Sequence, residues 1–387
     1  MSTDNDSPIN IRLAVVEDAM RITLLYQQVY QGHYPNPLMR DTAILSAFLN
    51  DSANVWVVAE AQGMIIGSVV FETDAPHRLS RSFGAAVLPE FRGHNILERS
   101  MNFGQERLFS TGNGADVIYG MTRTSSQAPQ VITEKLGYKK LGIFPNIRRT
   151  DNFETHCLTA LYAPDTLQKR FNQFKIHPSI ARLFELVRNE CSLPEQAIAS
   201  SDDIVMNPYD QTIELELITA EKYVLHRFRT QEQLNMLRAD FYPFHLPNMV
   251  ISSPCQTVEI FVYTSSSDRY CTIMGIKKPR EYNFTWLLDR CTSLLHHIGV
   301  RYIEIMIRPD KIQNIERVLK ARFIPCAYFP AFQLNNGLRY DFVIFSRTFE
   351  VLDFHNIRLS GLNMVYLEEY LRNLQQYFLQ PQLSTHT

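Results

Sequence analysis

Gly84-Ala85-Ala86-Val87-Leu88-Pro89-Glu90-Phe91-Arg92-Gly93-His94-Asn95-Ile96-Leu97 is the stretch on which the fold turns. An apolar strand runs to Pro89, and the tight turn Arg92-Gly93-His94-Asn95 opens a helix. A strand that stops beside a loop of free backbone N–H groups, feeding a helix N-terminus, is an anion seat. The unpaired first-turn N–H groups and the macrodipole both favour a phosphate there, the dipole by about 0.3–1 kcal/mol at an exposed end. Arg92 adds a charged fork that suits phosphate oxygens. Taken alone, these residues also read as a surface turn with a solvated arginine.

The neighbouring segments narrow the choice. Val55–Glu60 and Met64–Glu72, separated by Gln62-Gly63, are β-branched, apolar and joined by a turn signal, which predicts a hairpin. Ahead of them Ile11–Val15 reads as a short strand and Asp18 as the N-cap of a helix with Ile22, Leu25, Tyr26 and Val29 at helical spacing. After the loop come a helix through Phe109, a break at Gly112 and Gly114, and a strand at Val117–Met121. A polar turn over Thr122–Gln127, a helix ending at Leu136-Gly137-Tyr138 and a hairpin through Leu158 complete the series. The predicted order is β-α-α-β-β-β-α-β-α-β-β.

With Val87-Leu-Pro-Glu-Phe-Arg-Gly-His-Asn-Ile96 in its place, this order resembles the GNAT superfamily of acyl-CoA-dependent N-acyltransferases over roughly residues 9–162. The family's pyrophosphate loop follows Arg/Gln-x-x-Gly-x-Gly/Ala after a Val-x-Pro strand end. Arg92 holds the first position here, and Asn95 and Leu97 stand in the two small positions. Asparagine is the non-glycine residue most at ease with positive φ, so Asn95 is expected to hold the turn, with Leu97 directed into helix–sheet packing. Glu134-Lys-Leu-Gly-Tyr138 resembles the helix end that precedes the family's last two strands. The fold class implied is mixed α/β: a mostly antiparallel twisted sheet with a splayed central strand pair, flanked by helices.

The chain has 387 residues, so two domains are expected. A net charge of −2 gives no reason to expect a nucleic-acid partner. The six cysteines contain no Cys-x-x-Cys pair, so neither a zinc site nor a disulfide framework is indicated. There is no apolar run of about 20 residues and no signal-peptide pattern, so no membrane association and a cytoplasmic location are expected. His296-His297 cannot share a metal from one helix face, and neither His-Glu-x-x-His nor Gly-x-Ser-x-Gly occurs.

Residues 163–205 read as a helical connector, with amphipathic helices over Thr166–Phe174 and Ser179–Cys191 punctuated by Pro164, Pro178 and Pro194. Beyond it lies a faint repeat: adding 185 carries Gly114 to Gly299, Ile118 to Ile303, Met121 to Met306 and Arg123 to Arg308. Helix Phe284–His297, strand Arg301–Ile307, helix Ile312–Lys320 and hairpin Phe323–Ser346, turning at Asn336-Gly337, follow in register. At the place of the phosphate loop stands Lys277-Lys278-Pro279-Arg280, where Pro279 removes a donor and no glycine follows. The expected organisation is a GNAT-like domain over 1–162, the connector, a second, degenerate GNAT-like domain over 206–350, and a C-terminal helix and tail over 351–387. That helix, Leu362–Leu379, carries Met364, Leu367, Leu371, Leu374 and Phe378 on one stripe, which either closes the second core or forms the contact of a homodimer.

The resemblance implies acetyl-CoA or another acyl-CoA as cosubstrate and a small-molecule or peptide amine as acceptor, attacking the thioester directly. It places Ala86, Val87 and Leu88 along the pantetheine, Arg92, Gly93, His94, Asn95, Ile96 and Leu97 at the pyrophosphate, and Ser126 by the pantetheine arm. The family's general acid is often a tyrosine four residues before the glycine that here is Gly137, a position that holds Thr133. Tyr119 is the substitute acid and Glu72, closing the third strand, the candidate base. Each also has a plain reading, Tyr119 as a core tyrosine and Glu72 as a solvated strand end. Tyr30-Gln-Gly-His33-Tyr34-Pro35-Asn-Pro37 falls where an acceptor-side lid is expected. The missing tyrosine leaves a second class open, a non-catalytic acyl-CoA sensor or scaffold. A third is an interaction module that binds no CoA.

Overall fold

The computed structural model describes residues 8–32, 34, 36–110, 114–149, 152–204, 211–239, 241–279 and 282–379. His33 and Pro35 of the expected lid, Gly112 of the break and Arg280 of the basic loop lie outside them. The chain forms two compact units, one of Met1–Met121, Val131–Tyr138 and Thr159–Thr166, the other of Thr122–Gln130, Lys139–Leu158 and Leu167–Thr387.

Unit 1 contains β1 (Asn10–Leu13), α1 (Ala19–Tyr30), α2 (Thr42–Leu49), β2 (Val55–Ala61), β3 (Met64–Asp74), β4 (Leu79–Val87), α3 (Ile96–Ser110) and most of β5 (Val117–Arg123). It also holds the second part of α4 (Ala128–Lys135). The sheet order is β1-β2-β3-β4-β5, antiparallel except for the β4–β5 pair. Period-two alternation gives the sheet two apolar faces. Val58, Val70 and Ala86 pack with Leu25, Tyr26, Met39 and Leu45 on the α1–α2 face. Val57, Val69, Phe71 and Ile118 pack with Met101, Leu108 and Tyr138 on the α3 face. Each fully buried side chain of this size contributes roughly 1.5–3 kcal/mol, so the two faces fix where both helix layers sit.

Asp18 precedes α1 as expected, but its carboxylate does not cap the helix. It accepts instead from Arg12 (2.6 Å) and Arg21 (2.9 Å), and Glu60 takes the other arms of both arginines at 2.7 and 2.6 Å. Arg12 holds the Asp18 carboxyl below its ordinary range. The Val15 N–H also donates to it, at 3.0 Å, so the carboxylate closes the turn before α1 and pairs with the two arginines instead of capping the helix.

Unit 2 contains β6 (Lys139–Arg149), most of β7 (Phe153–Tyr162), α5 (Ala181–Cys191), β8 (Glu216–Ile218), α6 (Glu221–Gln233) and β9 (Arg238–Ala239). It continues with β10 (Met249–Ser252), β11 (Glu259–Ser265), β12 (Tyr270–Lys277), α7 (Phe284–His297), β13 (Tyr302–Ile307), α8 (Ile312–Lys320), β14 (Ile324–Asn335), β15 (Leu338–Thr348) and α9 (Leu362–Asn373). Its strands run β7-β6-β14-β15-β13-β12-β11-β10-β8, with β9 against β12. β12 and β13 are parallel, and β14–β15, β13–β15, β11–β12 and β10–β11 are antiparallel.

Helices α7 and α8 match their expected limits, and Asn283 caps α7 by accepting the Trp286 N–H at 3.1 Å. The helix expected over Thr166–Phe174 is absent apart from one 3-10 turn at Leu167–Lys169. Arg170 is drawn into a buried ion pair with Asp341, and the Phe171 N–H donates to Arg339 O at 2.8 Å. Tertiary partners override the local periodicity there. The C-terminal helix also turns differently from the expected stripe. Asn363, Tyr366, Leu367 and Tyr370 are buried, whereas Met364 and Leu371 are exposed. The Tyr366 hydroxyl donates to Lys140 O at 2.8 Å, so this face closes the core of unit 2 over β6.

Candidate functional site

The site grows from a change of pairing in β4. Beside β5 the register runs from Leu79↔Val117 to Ser82↔Gly120 and stops, although β4 continues to Val87 and β5 to Arg123. The two parallel strands part there, and an opening forms at their C-terminal ends, the side on which parallel strands place ligands. On its other edge β4 bulges: Gly84 and Ala85 stand opposite the single residue Val69, between Val70↔Phe83 and Ser68↔Ala86. Gly84 takes φ +65°, and a Cβ there would lie 2.6 Å from Met39 Cε, so only glycine makes this turn without strain.

Two tyrosines one helical turn apart hold the bulge. The Tyr26 hydroxyl donates to Gly84 O, and the Tyr30 hydroxyl donates to Ala85 O at 3.2 Å. Burial pushes the Tyr26 phenol well above its ordinary value, so it stays a donor. Sequence reading gave Tyr26 only a core role. The signal was present in the i, i+4 spacing of Tyr26 and Tyr30, which puts both hydroxyls on one helix face. Tyr34, from the expected lid, lies with its ring 4.6 Å from that of Tyr30.

Past the bulge the Leu88 N–H donates to Ile66 O at 2.9 Å. Antiparallel ladders alternate bonded and non-bonded positions, so residues 86 and 88 face β3, and the N–H and C=O of Val87 turn to the opposite edge, into the opening. The side chains of Ala86 and Leu88 are buried in the α1–α2 core. Of the three residues expected to line a pantetheine, it is therefore the Val87 backbone that faces the opening.

Five residues further on lies the loop. Gly93 has φ +88° with nothing within 4 Å of a Cβ position, which leaves room for an anion against the backbone. Asn95 has φ +55°, as expected for the residue that holds the turn. Ile96 is buried in the α1–α2 core and Leu97 packs against the α3-face core, so both lean away from the loop surface. The His94 ring donates from Nδ1 to Phe91 O at 3.1 Å, which ties the turn together and leaves its backbone on the outside. Arg92 is exposed and has no ion-pair partner among the described residues. Open backbone at Gly93, the start of α3 and a free guanidinium together fit a pyrophosphate.

The three candidate catalytic residues are not brought together. Glu72, Arg81 and Tyr119 lie abreast on β3, β4 and β5, hence on one sheet face, which is that of Val70 and α1. Glu72 accepts from Arg81 at 2.6 Å. Thr133 is buried in α4, and Ile132 of that helix and Leu136 just after it pack into the opposite, α3-side core. The sheet thus separates Thr133 from Glu72 and Tyr119. Ser126 is exposed and belongs to unit 2.

Unit 2 has a comparable parting of strands. β12 and β13 pair from Tyr270↔Tyr302 to Ile273↔Ile305 and then separate, and β12 bulges at Met274 opposite the Phe261–Val262 step of β11. Its basic loop is already engaged: Lys277 Nζ donates to Gln256 O (2.8 Å) and pairs with Glu259 (3.0 Å), and Lys278 Nζ donates to Tyr282 O (3.2 Å). Beside the parting Glu304 accepts from the hydroxyls of Tyr242 (2.7 Å), Tyr270 (2.8 Å) and Tyr302 (3.0 Å). It has no cationic partner among the described residues, and burial raises its pKa. A carboxyl raised on folding stabilises the fold fully below its free pKa, and that contribution is lost as pH rises through the folded value. Each pH unit of displacement is worth about 1.4 kcal/mol. Glu304→Gln is therefore expected to gain Tm relative to the parent as pH rises from 5 to about 9. Scanning calorimetry of both proteins across that range checks it, and a difference that is flat or shrinks with pH contradicts it.

Among the described residues no helix is long and apolar enough to cross a membrane, and no group of His, Cys, Asp and Glu is arranged to hold a metal. No protein-family model matches the sequence, and no curated protein matches it. Among solved structures, the chain is similar to an acetyltransferase of the GNAT family from Streptococcus pneumoniae, at 16% identity and TM-score 0.36 over 40% of this chain and 99% of that one. An N-acetyltransferase from Staphylococcus aureus Mu50 aligns at 15% identity and TM-score 0.34, over 40% of this chain and 98% of that one. A GNAT superfamily phosphinothricin acetyltransferase from Sinorhizobium meliloti, in complex with AcCoA, aligns at 15% identity and TM-score 0.36, over 41% and 89%. At such identities and scores the chain's own geometry has to carry any functional reading.

Proposed function

We propose that the chain is an acyl-CoA-dependent N-acyltransferase of the GNAT type. In this reading unit 1 seats acetyl-CoA or another acyl-CoA and passes the acyl group to a small-molecule or peptide amine. The observation that carries it is the continuity of the β4–β5 opening with the Arg92–Asn95 loop and the start of α3. An extended ligand arm fits along Val87, and its anionic end fits Arg92 and the first N–H groups of α3. The cosubstrate supplies an activated thioester that an amine attacks directly, so the chain needs no nucleophile of its own. What the chain contributes is position and backbone donors, the Val87 N–H among them. Unit 2 repeats the strand–helix succession with Lys277 and Lys278 of its loop engaged within the chain, and we read it as a degenerate GNAT-like domain.

One observation favours a second reading. Thr133 is buried behind the sheet and Glu72 is ion-paired to Arg81, so the positions expected to move protons are occupied otherwise. That arrangement suits a protein that binds acyl-CoA and senses it. Calorimetric titration with CoA and acetyl-CoA is expected to give saturable heat, and an amine-panel assay of thiol release is expected to find turnover. Absence of heat at millimolar ligand sinks both readings; binding with no thiol release across a broad panel selects the sensor.

A further inference from the structure

Unit 2 has a strand opening of its own, and its own chain lies in it. β12 and β13 part after Ile273↔Ile305. At Ile276 and Gly275, β11 holds one edge of β12 through Ile260 and Phe261. β9 pairs with the same two residues, Gly275↔Ala239 and Ile276↔Arg238. A strand has two edges, so β9 lies on the edge turned toward β13, inside the parting.

The residues after β9 are fastened to the strands around the parting. The Phe241 ring lies 5.1 Å from that of Phe332. The Tyr242 hydroxyl meets that of Tyr270 at 2.5 Å and donates to Glu304 at 2.7 Å, and those two residues stand on β12 and β13 within their paired part, just before the strands separate. The His245 ring stacks edge-on against Tyr263 of β11 at 4.8 Å. Phe244 sits at φ +64°, a conformation that a bulky residue keeps only when its surroundings over-determine it.

We propose that β9 is a built-in plug, anchored by residues 241–248: β9 takes the free edge of β12 beside the gap, and the anchoring residues fasten it to the neighbouring strands, so that the chain seats one acyl-CoA, in unit 1 alone. The proposal rests on the GNAT-like reading of both openings. A segment tethered in the same chain acts at an effective concentration on the order of millimolar, so a free ligand of ordinary affinity does not displace it. The contrast with unit 1 is local: at the matching bulge the Val87 edge has no such strand against it among the described residues, and Arg92 is unpaired where Lys277 and Lys278 are engaged.

The test uses the full chain, with hydrogen exchange read by mass spectrometry with and without saturating CoA, and calorimetric stoichiometry alongside. The expected result is one CoA per chain, with affinity roughly 10- to 100-fold weaker in Arg92→Ala and unchanged in Lys277→Ala. Amides of 275–276 should exchange slowly and equally with and without CoA, while those of 85–97 slow on binding. Two sites per chain, binding that Lys277→Ala weakens and Arg92→Ala leaves unchanged, or CoA-dependent acceleration of exchange at 238–241 overturns the plug. If CoA does not bind at all, it is the reading of unit 1 that fails. The plug is then judged by exchange alone: slow amides at 275–276 that speed at least tenfold in the Phe241→Ala, Tyr242→Ala double variant support it, and fast exchange in the parent overturns it.

Discussion

Asp341→Ala is expected to destabilise unit 2 by about 3–5 kcal/mol, the largest single loss from any substitution considered. Both partners of the Arg170–Asp341 pair are nearly inaccessible, at 2% and 0% side-chain exposure. Asp341 accepts from Arg170 Nε (2.8 Å) and Nη2, from the Tyr328 hydroxyl (2.6 Å) and from the Ala331 N–H (2.8 Å). It stands where β14 bulges between Phe329 and Gln333, and Ala331 there has φ +55°. Removing the carboxylate leaves a buried guanidinium and two further donors unpaired, each costly in a low-dielectric interior. Asp341→Asn keeps one acceptor oxygen and loses the charge, so a smaller loss is expected. Replacing the pair together, as Arg170→Met with Asp341→Leu, should recover much of the loss, because no orphaned charge remains. Urea unfolding of these four proteins and of the Arg170→Met and Asp341→Leu single variants measures this. A loss below about 1 kcal/mol for Asp341→Ala, or a double variant whose loss is the sum of the singles, contradicts the account.

Arg92→Ala is expected to weaken CoA binding by roughly 10- to 100-fold while leaving unfolding stability within about 0.5 kcal/mol. The affinity estimate follows from about 1.5–3 kcal/mol for hydrogen bonds to a charged group, at 1.4 kcal/mol per tenfold. The stability estimate follows from the position: Arg92 is exposed and outside both cores of unit 1. Arg92→Lys should retain part of the affinity as a point charge without the planar fork. The wild-type advantage should shrink as ionic strength rises, since an exposed pairing is screened. Calorimetric titration at low and high salt reads both effects. An unchanged dissociation constant in Arg92→Ala removes the pyrophosphate assignment.

Helices α7 and α8 and the turn at Asn95 were legible because each is decided by neighbours within a few residues: an apolar period, a cap, a residue tolerant of positive φ. The glycine turn at Arg92–Asn95 was legible for the same reason. The helix expected over Thr166–Phe174 failed because the fate of Arg170 is set by Asp341, 171 positions away. The stripe assigned to α9 failed in a related way. Tyr366 and Tyr370 are drawn in by partners on other elements, and Met364 and Leu371 are turned out.

Periodicity, turn chemistry and backbone tolerance are local properties, so the class of fold, the order of elements over residues 9–162 and the glycine-bearing turn after β4 show in the chain itself, whereas β8 to β11 and α6 do not. What those pieces do depends on how they pair. A bulge exists only in the register between two strands, so the opening at Gly84–Ala85 and the outward turn of Val87 could not be read from either strand alone. Strand parity across the sheet placed Glu72 and Tyr119 on one face and Thr133 behind the other. The two-residue β9, too short to show any period, closes the second opening by pairing with β12 past the two intervening strands β10 and β11.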